Sequence, residues 1–370
     1  MRKRLAIFLG VAQSILFASH WFVYQTWAAF RGAPDPPGFS APAIVFAVLA
    51  ITFPTATLLA WRYSNVFARI YYKIAAFWLG CLSFLFLAAI SSWIFYAAFY
   101  VLGWRSQRQA IAFALFGLAI LASLYGALNS AVVRVKRVTV NLPNLPPTWR
   151  GRVAALVTDM HLGHVRGTRF AKRIVKILGQ NQAAIVLIAG DMYDGTAADI
   201  DRLAEPLRKL TPPMGAYFVE GNHEEFTDHT KYLNAVKNAG VRVLNNEKVN
   251  VDGLQIVGVH YRDARNPERL RQIIQRADLN AESASILLTH APNQLYVADQ
   301  EKIGLQLSGH THGGQFFPFT WITSRIYGRF VYGLQRLGNL LVYTSCGVGT
   351  WGPPMRLGTR PEIVLIRFET

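Results

Sequence analysis

Cysteine is scarce in this chain, and its scarcity argues against two classes of protein. The 370 residues include two cysteines, Cys81 and Cys346, and neither has a neighbour at metal-ligand or CxxC spacing. A disulfide-stabilised secreted domain and a cysteine-rich metal site are therefore not indicated. A low number of cysteines without paired spacing is typical of a domain that faces the cytosol.

Acidic residues are almost absent from the first third of the chain. Residues 1–130 hold one acid, Asp35, and nine of the 38 lysines and arginines, so both parts of the chain share the net charge of +17. Neither part contains a dense run of lysine or arginine. We therefore expect membrane-flanking charge and a mildly basic face on the second part, and no binding of a nucleic acid polymer.

Four long segments of the first third contain no Asp, Glu, Lys or Arg: 5–30, 36–61, 74–104 and 109–133. Each is longer than the roughly 20 residues that a helix needs to cross a hydrocarbon core. Soluble helices carry a polar stripe, which these segments lack. The sequence predicts an all-α membrane region at residues 1–131 with four transmembrane helices, at about 5–30, 38–61, 74–103 and 109–130.

The loop charges predict how these helices are oriented. With four spans, the N-terminus, the loop 62–73 and the segment after the last span lie on the same side of the membrane, and all three are positively charged. The positive-inside rule places that side in the cytoplasm, although Arg105 and Arg108 lie on the opposite side. The rest of the chain is then expected in the cytoplasm.

From about residue 132 the pattern changes to short β-rich apolar runs that alternate with helical segments, which predicts an α/β domain over residues 132–370. The predicted strands are an edge strand within 133–142, then Val153–Thr158, Ala184–Ala189, Ala216–Val219, Val241–Leu244, Leu254–Val259, Ser285–Thr289, Leu305–Ser308, Leu341–Ser345 and Ile363–Phe368. The predicted helices are Thr168–Gly179, Ile200–Leu210, Thr230–Ala239, Pro267–Arg276 and Pro292–Asp299.

Five polar blocks follow the ends of these strands: Asp159-Met160-His161, Gly190-Asp191, Gly221-Asn222-His223-Glu224, the single His290 and Gly309-His310-Thr311-His312. Carboxyl ends of strands meet at one edge of an α/β sheet, where such folds bind ligands. Carboxylate, amide and imidazole donors together suit a pair of divalent first-row metals, which can clamp a phosphate and activate water. A single Asp between strand and helix is more often a helix N-cap, but the complete set favours metal binding. Phosphoester hydrolysis is the leading hypothesis.

At these residues the chain resembles the calcineurin-like metallophosphoesterase superfamily, whose motifs run DxH, GD, GNH followed by D or E, a single H, and GHxH. The resemblance covers about residues 132–370 and implies a fold of two packed β-sheets flanked by helices. It also implies two divalent ions with a shared carboxylate, the ligands being Asp159, His161 and His312 for the first ion, Asn222, His290 and His310 for the second, and Asp191 between them.

The resemblance further implies a mechanism in which a metal-bound hydroxide attacks phosphorus. The catalytic residues are then Asp191 and His223. The His223 side chain protonates the leaving oxygen or stabilises the equatorial oxygens. These ligand types leave Mn, Fe, Zn and Mg open as the metals. Substrate contacts are predicted at Asp194, His164 and Arg356, although Asp194 and His164 could equally shape local turns.

A narrower resemblance is carried by Gly309–Gln315 and by the tail around Cys346 and Arg356. These segments resemble membrane-attached bacterial phosphoesterases, including relatives of UDP-2,3-diacylglucosamine hydrolases. The likeness implies the bacterial inner (plasma) membrane, and a phosphodiester or pyrophosphate substrate that is lipid-linked or nucleotide-linked. The apolar residues after the last block could form an acyl-facing lip or belong to the core: Phe316, Phe317, Phe319, Trp321 and Ile322.

Two other functions stay open from the sequence. One is a phosphodiesterase for soluble nucleotides that is merely anchored to the membrane. The other is a non-catalytic membrane scaffold with a metal-binding module, which the intact set of ligands argues against.

Overall fold

The computed structural model describes residues 2–32, 40–104, 107–196, 198–225 and 229–370, and the side chains of residues 2–6, 8 and 9 lie outside this description. The chain forms two compact units. The first comprises Met1–Leu128 with Gly352–Met355, and the second comprises Asn129–Trp351 with Arg356–Thr370.

The described part of the first unit contains four long helices, each of which overlaps one of the charge-free segments: α1 Arg2–Phe30, α2 Ala41–Arg62, α3 Val66–Val101 and α4 Arg108–Ser130. Helix α3 begins before its charge-free segment and includes Arg69 and Lys73. Among the described residues, α2, α3 and α4 are long and apolar enough to cross a membrane. Large apolar side chains on these helices are exposed, as expected for segments that face lipid. The predicted span at 5–30 lies within α1 and begins at side chains outside the description, so it stays a prediction.

Polar side chains inside these helices bond to neighbouring helices. The indole N–H of Trp78 donates to Nε2 of His20 at 2.9 Å, and that of Trp93 donates to the hydroxyl of Thr26 at 2.9 Å. Both ring nitrogens of His20 have a partner, because Nδ1 lies 2.7 Å from the carbonyl oxygen of Leu16. His20 therefore has a helix-packing role in α1.

The second unit contains two mixed six-stranded sheets. In the first sheet the order is β1-β12-β2-β3-β4-β5, with β1 Arg134–Asn141, β2 Val153–Val157, β3 Ile185–Ala189, β4 Ala216–Val219, β5 Arg242–Val243 and β12 Glu362–Glu369. In the second sheet the order is β10-β11-β9-β8-β7-β6, with β6 Glu247–Val251, β7 Leu254–Gly258, β8 Ser285–Leu288, β9 Leu305–Ser308, β10 Gly333–Leu337 and β11 Leu340–Thr344.

The hydrophobic core has three layers, because alternate residues of each strand face opposite sides. Leu156 of β2 and Leu288 of β8 belong to a cluster between the sheets. Val157 of β2 faces the helices over the first sheet, and Leu287 of β8 faces those over the second. The helices of this unit are α5 Thr168–Gln180, α6 Ile200–Ala204, α7 His229–Asn238, α8 Tyr261–Arg265, α9 Pro267–Arg276, α10 Leu295–Gln300 and α11 Phe319–Tyr327. Two packed sheets flanked by helices, preceded by apolar helices, confirm the predicted fold class.

Four elements of this unit escaped the sequence analysis. Strands β6 and β10 are short hairpin partners at the outer edges of the second sheet, and their half-exposed charged residues hide the alternation of a strand. Helix α8 has five residues, and α11 buries none of its side chains, so neither shows a core-facing apolar stripe. The predicted helix at 200–210 ends at Ala204 and continues as a 3-10 turn that contains Pro206.

Candidate metal centre

The five polar blocks lie at the carboxyl ends of parallel strands. Strands β2, β3 and β4 run parallel in the first sheet, and β8 and β9 run parallel in the second. Each block supplies a side chain two or three residues after its strand: Asp159, Asp191, Asn222, His290 and His310. The two sheets therefore deliver their polar side chains to one shared edge.

These side chains form three overlapping groups in which the candidate ligand atoms lie within 4.8 Å of one another: Asp159 with His161 and His312; His161 with Asp191 and His223; and Asp191 with His290 and His310. The first group is the ligand set expected for the first ion. The third contains His290 and His310, two of the three ligands expected for the second ion, together with Asp191, the expected shared carboxylate. Asn222 adds a carboxamide oxygen 3.1 Å from Nε2 of His290.

The carboxylate of Asp191 stands between the groups. Its Oδ2 lies 3.2 Å from Nε2 of His290 and 3.8 Å from Nε2 of His161. A single oxygen thus approaches one imidazole from each candidate ligand set. This is the arrangement that a carboxylate shared by two cations requires.

The donor atoms approach one another in a way that fits metal binding. Nε2 of His161 lies 2.9 Å from Nε2 of His312, and Nδ1 of His310 lies 3.0 Å from Nε2 of His290. Nitrogen ligands about 2.1 Å from a common cation are separated by about 3.0 Å at octahedral angles and about 3.4 Å at tetrahedral angles. The residues present therefore fit a pair of divalent ions.

The backbone at this edge adopts an unfavourable conformation. Five candidate ligands have positive φ angles between 46° and 69°: Asp159, His161, Asp191, His310 and His312. For residues other than glycine, the left-handed region costs roughly 1–2 kcal/mol each. Strain of this kind persists where surrounding structure enforces it, and it concentrates at functional sites.

Burial sets the charge of the imidazoles. It lowers the pKa of His310 to about 3 and holds the pKa values of His161 and His312 well below the usual range. Burial opposes the charge of His290 too, but the Asp191 carboxylate raises its pKa to about 9. Near neutral pH, three imidazoles therefore present lone pairs, while His290 and Asp191 form an ion pair until a cation takes the proton's place.

Glu224 connects the loop that carries Asp191 to the loop that carries Asn222. Its carboxylate accepts backbone N–H groups from Asp191 at 3.0 Å, Tyr193 at 3.1 Å and Gly221 at 2.8 Å. Burial, followed by the charge of Asp191, raises the pKa of Glu224 to about 8. Glu224 thus fixes the spacing of two ligand-bearing loops without reaching the ligand atoms itself.

His223 lies against the group that contains His161 and Asp191. Its backbone N–H donates to Oδ1 of Asp191 at 3.0 Å, and its Nδ1 lies 3.1 Å from the carbonyl oxygen of Asp194. Its Nε2 lies 3.9 Å from Oδ2 of Asp191, and its ring centroid lies 4.6 Å from that of His161. The ring therefore lies beside the candidate ligands Asp191 and His161, and its catalytic role stays a prediction.

The three predicted substrate contacts lie behind the candidate ligands. Asp194 accepts the backbone N–H groups of His164 and Thr196, and His164 is buried with Nδ1 3.1 Å from the hydroxyl of Thr196. Arg356 is fully buried, and its Nη2 lies 3.1 Å from Nδ1 of His312 and donates to the carbonyl oxygen of Cys346. These bonds give all three residues a part in positioning loops and His312, and substrate contact at them stays a prediction that burial disfavours.

An aromatic pair beside the second ligand set was missed by the sequence analysis. The ring of Tyr261 lies 5.6 Å from that of His290 and 5.9 Å from that of His310, and the ring of Tyr327 lies 6.3 Å from that of His310. Tyr261 follows β7 by three residues, at the same sheet edge as the motifs. Its position after a predicted strand was a signal that could have revealed it.

The apolar segment after the last block is divided between core and surface. Phe316 is buried at 2% exposure, whereas Phe317, Phe319 and Trp321 are about half exposed. Ile322 and Ile326 of α11 are exposed too, and Ile326 lines the same cavity as His310. Phe316 therefore belongs to the core, and α11 is an exposed apolar helix next to the site. An acyl-facing role for α11 stays a prediction.

Fold and site together define an α/β protein whose two sheets meet at a candidate two-cation centre. Residues 153–314 match the family described as calcineurin-like phosphoesterase. The chain belongs to the calcineurin-like metallophosphoesterase family.

Three relatives carry the same family name. An uncharacterized metallophosphoesterase of Aquifex aeolicus is 31% identical over 260 residues, which cover 68% of this chain and 98% of that protein. An uncharacterized metallophosphoesterase of Campylobacter jejuni is 32% identical, covering 66% of this chain and 66% of its own length. A transmembrane protein with a metallophosphoesterase domain from Danio rerio is 32% identical, covering 71% of this chain and 65% of its own length. The matched region thus spans slightly less than two thirds of the last two relatives.

Proposed function

We propose that the protein is a membrane-bound, metal-dependent phosphoesterase that hydrolyses a phosphodiester or pyrophosphate bond. The observation that carries this proposal is the position of Asp191 Oδ2, within 4 Å of one imidazole from each candidate ligand set. Two divalent ions at these residues supply Lewis acidity and lower the pKa of water. The chemistry of the donors supports two ions, and Mn, Fe, Zn and Mg all suit them.

The chain's own residues then do two things during hydrolysis. The candidate ligands would hold the divalent ions in fixed positions, since backbone N–H groups of their loops are bonded to the carboxylates of Glu224 and Asp159. The oxygen of water forms a bond to phosphorus as the bond to the leaving oxygen breaks. His223, through Nε2, gives a proton to that leaving oxygen or steadies the charge on the phosphoryl oxygens.

The test is hydrolysis by the full-length protein in lipid nanodiscs with Mn²⁺ and a panel of phosphoesters. Asp191→Asn keeps the size of the side chain but removes the shared charge, so we expect activity to fall at least about a hundredfold. Bound metal, measured by mass spectrometry, should fall with it. Asp252→Asn is the matched control, because Asp252 is exposed and pairs with Arg152 on the surface. Full activity of Asp191→Asn would refute the proposal.

We further propose that the substrate is amphiphilic and is hydrolysed at the membrane surface, on the cytoplasmic side of a bacterial inner membrane. Support comes from the exposed apolar side chains of α11, such as Trp321 and Ile326, beside the site. Support also comes from the spanning potential of α2, α3 and α4. A relation to UDP-2,3-diacylglucosamine hydrolases stays a prediction.

A paired assay distinguishes an amphiphilic substrate from a soluble nucleotide. The exposed α11 residues Trp321 and Ile322, which do not line the cavity beside His310, are replaced together by serine, and each activity is compared with that of the unaltered protein. We expect loss on a lipid-linked pyrophosphate and none on a soluble nucleotide ester. Equal activity on both classes would favour an anchored nucleotide phosphodiesterase. A protein that binds Mn²⁺ but hydrolyses no ester would favour a scaffold.

A further inference from the structure

A cavity of about 420 Å³ opens next to the candidate metal centre on the side of His310. Its lining combines aromatic rings, a carboxamide and a guanidinium, from Tyr261, Arg265, Asn293, His310, Tyr327 and Phe330. His310 is a candidate metal ligand, so a substrate with its phosphorus at the metals would place a neighbouring group in this cavity. The cavity is thus a subsite for the part of the substrate beside the scissile bond.

The wall that carries Arg265 is fixed relative to the candidate ligands. The guanidinium carbon of Arg265 lies 5.5 Å from the centroid of the Tyr261 ring, and that ring contacts His290 and His310. The carbonyl oxygen of Arg265 accepts a hydrogen bond from Nε2 of Gln294 at 2.8 Å. The Tyr261 ring therefore contacts both the guanidinium and the imidazoles, and the backbone of Arg265 is bonded to Gln294, another residue of the cavity lining.

The charge of Arg265 distinguishes it from the other arginine of α8. Arg262 is neutralised by Glu225, with Nε 2.7 Å from the carboxylate. Within the described part of the chain, no carboxylate forms an ion pair with Arg265. A guanidinium fork is suited to bidentate binding of a phosphoryl group, and this one lines a cavity that leads to the metal centre.

We propose that Arg265 binds a second phosphoryl group in this cavity, so that the preferred substrate is a pyrophosphate diester. This inference rests on the proposed function. The oxygen of water bonds to the phosphorus at the metal centre, and the bond from that phosphorus to the bridging oxygen breaks. The second phosphoryl group leaves with the bridging oxygen and its electron pair as a phosphate monoester. The first becomes a phosphate monoester too, and the two protons of water pass to the products and solvent.

The test compares two substrates of the full-length protein in nanodiscs with Mn²⁺. Diadenosine diphosphate carries a second phosphoryl group, whereas the p-nitrophenyl ester of thymidine 5′-phosphate does not. We expect Arg265→Gln to lower kcat/KM for the first substrate roughly tenfold to a hundredfold, because a charge-assisted bond is lost. The second substrate should be little affected, and Arg265→Lys should recover part of the loss. Arg269→Gln, an exposed arginine of α9, is the matched control.

Equal losses on both substrates, or no loss on diadenosine diphosphate, would overturn the proposal. If the unaltered protein hydrolyses neither of these soluble substrates, the subsite is decided by binding, which does not depend on the proposed function. The methylene analogue of diadenosine diphosphate should bind the Mn²⁺-loaded protein more tightly than it binds Arg265→Gln, as measured by calorimetry. The same Kd for both proteins would contradict a phosphoryl subsite at Arg265.

Discussion

At the residue scale, His290 determines how the site exchanges protons for cations. Its Nδ1 lies 2.8 Å from the carbonyl oxygen of Ala189, which leaves Nε2 directed at Asp191, Asn222 and His310. Carboxylates nearby raise its pKa to about 9, so His290 is protonated at pH 7 before a cation binds. The proton occupies the lone pair that a metal would use.

Metal binding should therefore release about one proton per protein at neutral pH. Since the pKa of His290 is raised to about 9, the release should persist at pH 7 and disappear as the pH rises above that value. Affinity should rise by about tenfold per pH unit over the same range, as linkage requires. Calorimetry of Mn²⁺ binding in two buffers with different ionisation enthalpies measures the protons released. A release near zero at pH 7 would contradict this assignment of charge.

Glu224 offers a second prediction at this scale, because one carboxylate serves three backbone donors. Glu224→Gln places an NH₂ group against at least one of these N–H groups. We expect a loss of about 1–3 kcal/mol in the free energy of unfolding, together with weaker metal binding. Thermal unfolding with and without Mn²⁺ measures both. The control Glu268→Gln removes an exposed ion pair with Arg271 and should change neither the unfolding temperature nor metal binding appreciably. If both variants had the same effect, Glu224 would not be the residue that holds the two ligand-bearing loops.

The residues that bear candidate ligand atoms belong to motifs visible in the sequence, whereas the contacts that hold them in place were not predicted. Asp159 and His310 belong to short motifs after apolar strands, so their chemistry and placement could be inferred together. The positions of Arg356 behind His312 and of Arg265 beside Tyr261 depend on segments that meet only in the folded chain. Nothing in the sequence around a single arginine indicates which distant segment it will contact in the folded chain.

At the element scale, the loops after the strands have little room for added atoms. A Cβ on Gly347, where φ is +75°, would lie 2.6 Å from Cβ of Asp159. Gly347→Ala should therefore lower the free energy of unfolding by about 2 kcal/mol or more, and it should displace Asp159.

Gly179 provides a control for which the expected change in the free energy of unfolding has the opposite sign. It lies in α5 with no atom within 4 Å of its added Cβ, so Gly179→Ala should stabilise the protein by up to about 1 kcal/mol. Thermal unfolding of the two variants measures the contrast, and Mn²⁺ content reports on Asp159. A neutral Gly347→Ala would mean that the loop can relax away from the ligand.

Elements with a long buried apolar run were predicted, and short or edge elements with little buried surface were missed. Strands β3 and β4, which each supply a motif, are buried along their whole length, so their apolar runs are continuous. The pattern fails at β10 and α11, where polar and exposed apolar residues follow no period. Sequence periodicity reports burial, and it cannot reveal an element stabilised mainly by its neighbours.

At the scale of the whole molecule, the positive-inside prediction can be tested through single cysteines. One cysteine is introduced at Ser64, between α2 and α3, and in a separate variant one is introduced at Gln107, just before α4. We expect an impermeant maleimide to label residue 64 from the cytoplasmic side and residue 107 from the other side. Intact cells and inverted vesicles give the two measurements, with the unaltered protein as background. Labelling of both from one side would contradict the proposed topology.

The predicted change of region and the division into compact units can be compared along the chain. Composition placed the change at 131/132, and the units divide at Leu128/Asn129. Asn129 donates to the carbonyl oxygens of Arg356 and Thr359, and Arg173 donates to that of Ala131, so these residues belong structurally to the second unit. The assignment of Gly352–Met355 to the first unit had no signal in sequence, since a four-residue loop is too short for a compositional change.

The left-handed backbone conformation of the five candidate ligand residues makes the stability of the fold, and hence the amount of protein in the cell, depend on the metal supply. Five positions at roughly 1–2 kcal/mol each are a large share of a typical folding stability of about 5–15 kcal/mol. Bound cations offset this deficit by mass action, so chains made during metal starvation would unfold more often and be degraded by cellular proteases. Immunoblots of chelator-treated cells should therefore show a smaller amount of the protein. An unchanged amount would mean that the stability of the fold does not depend on bound metal.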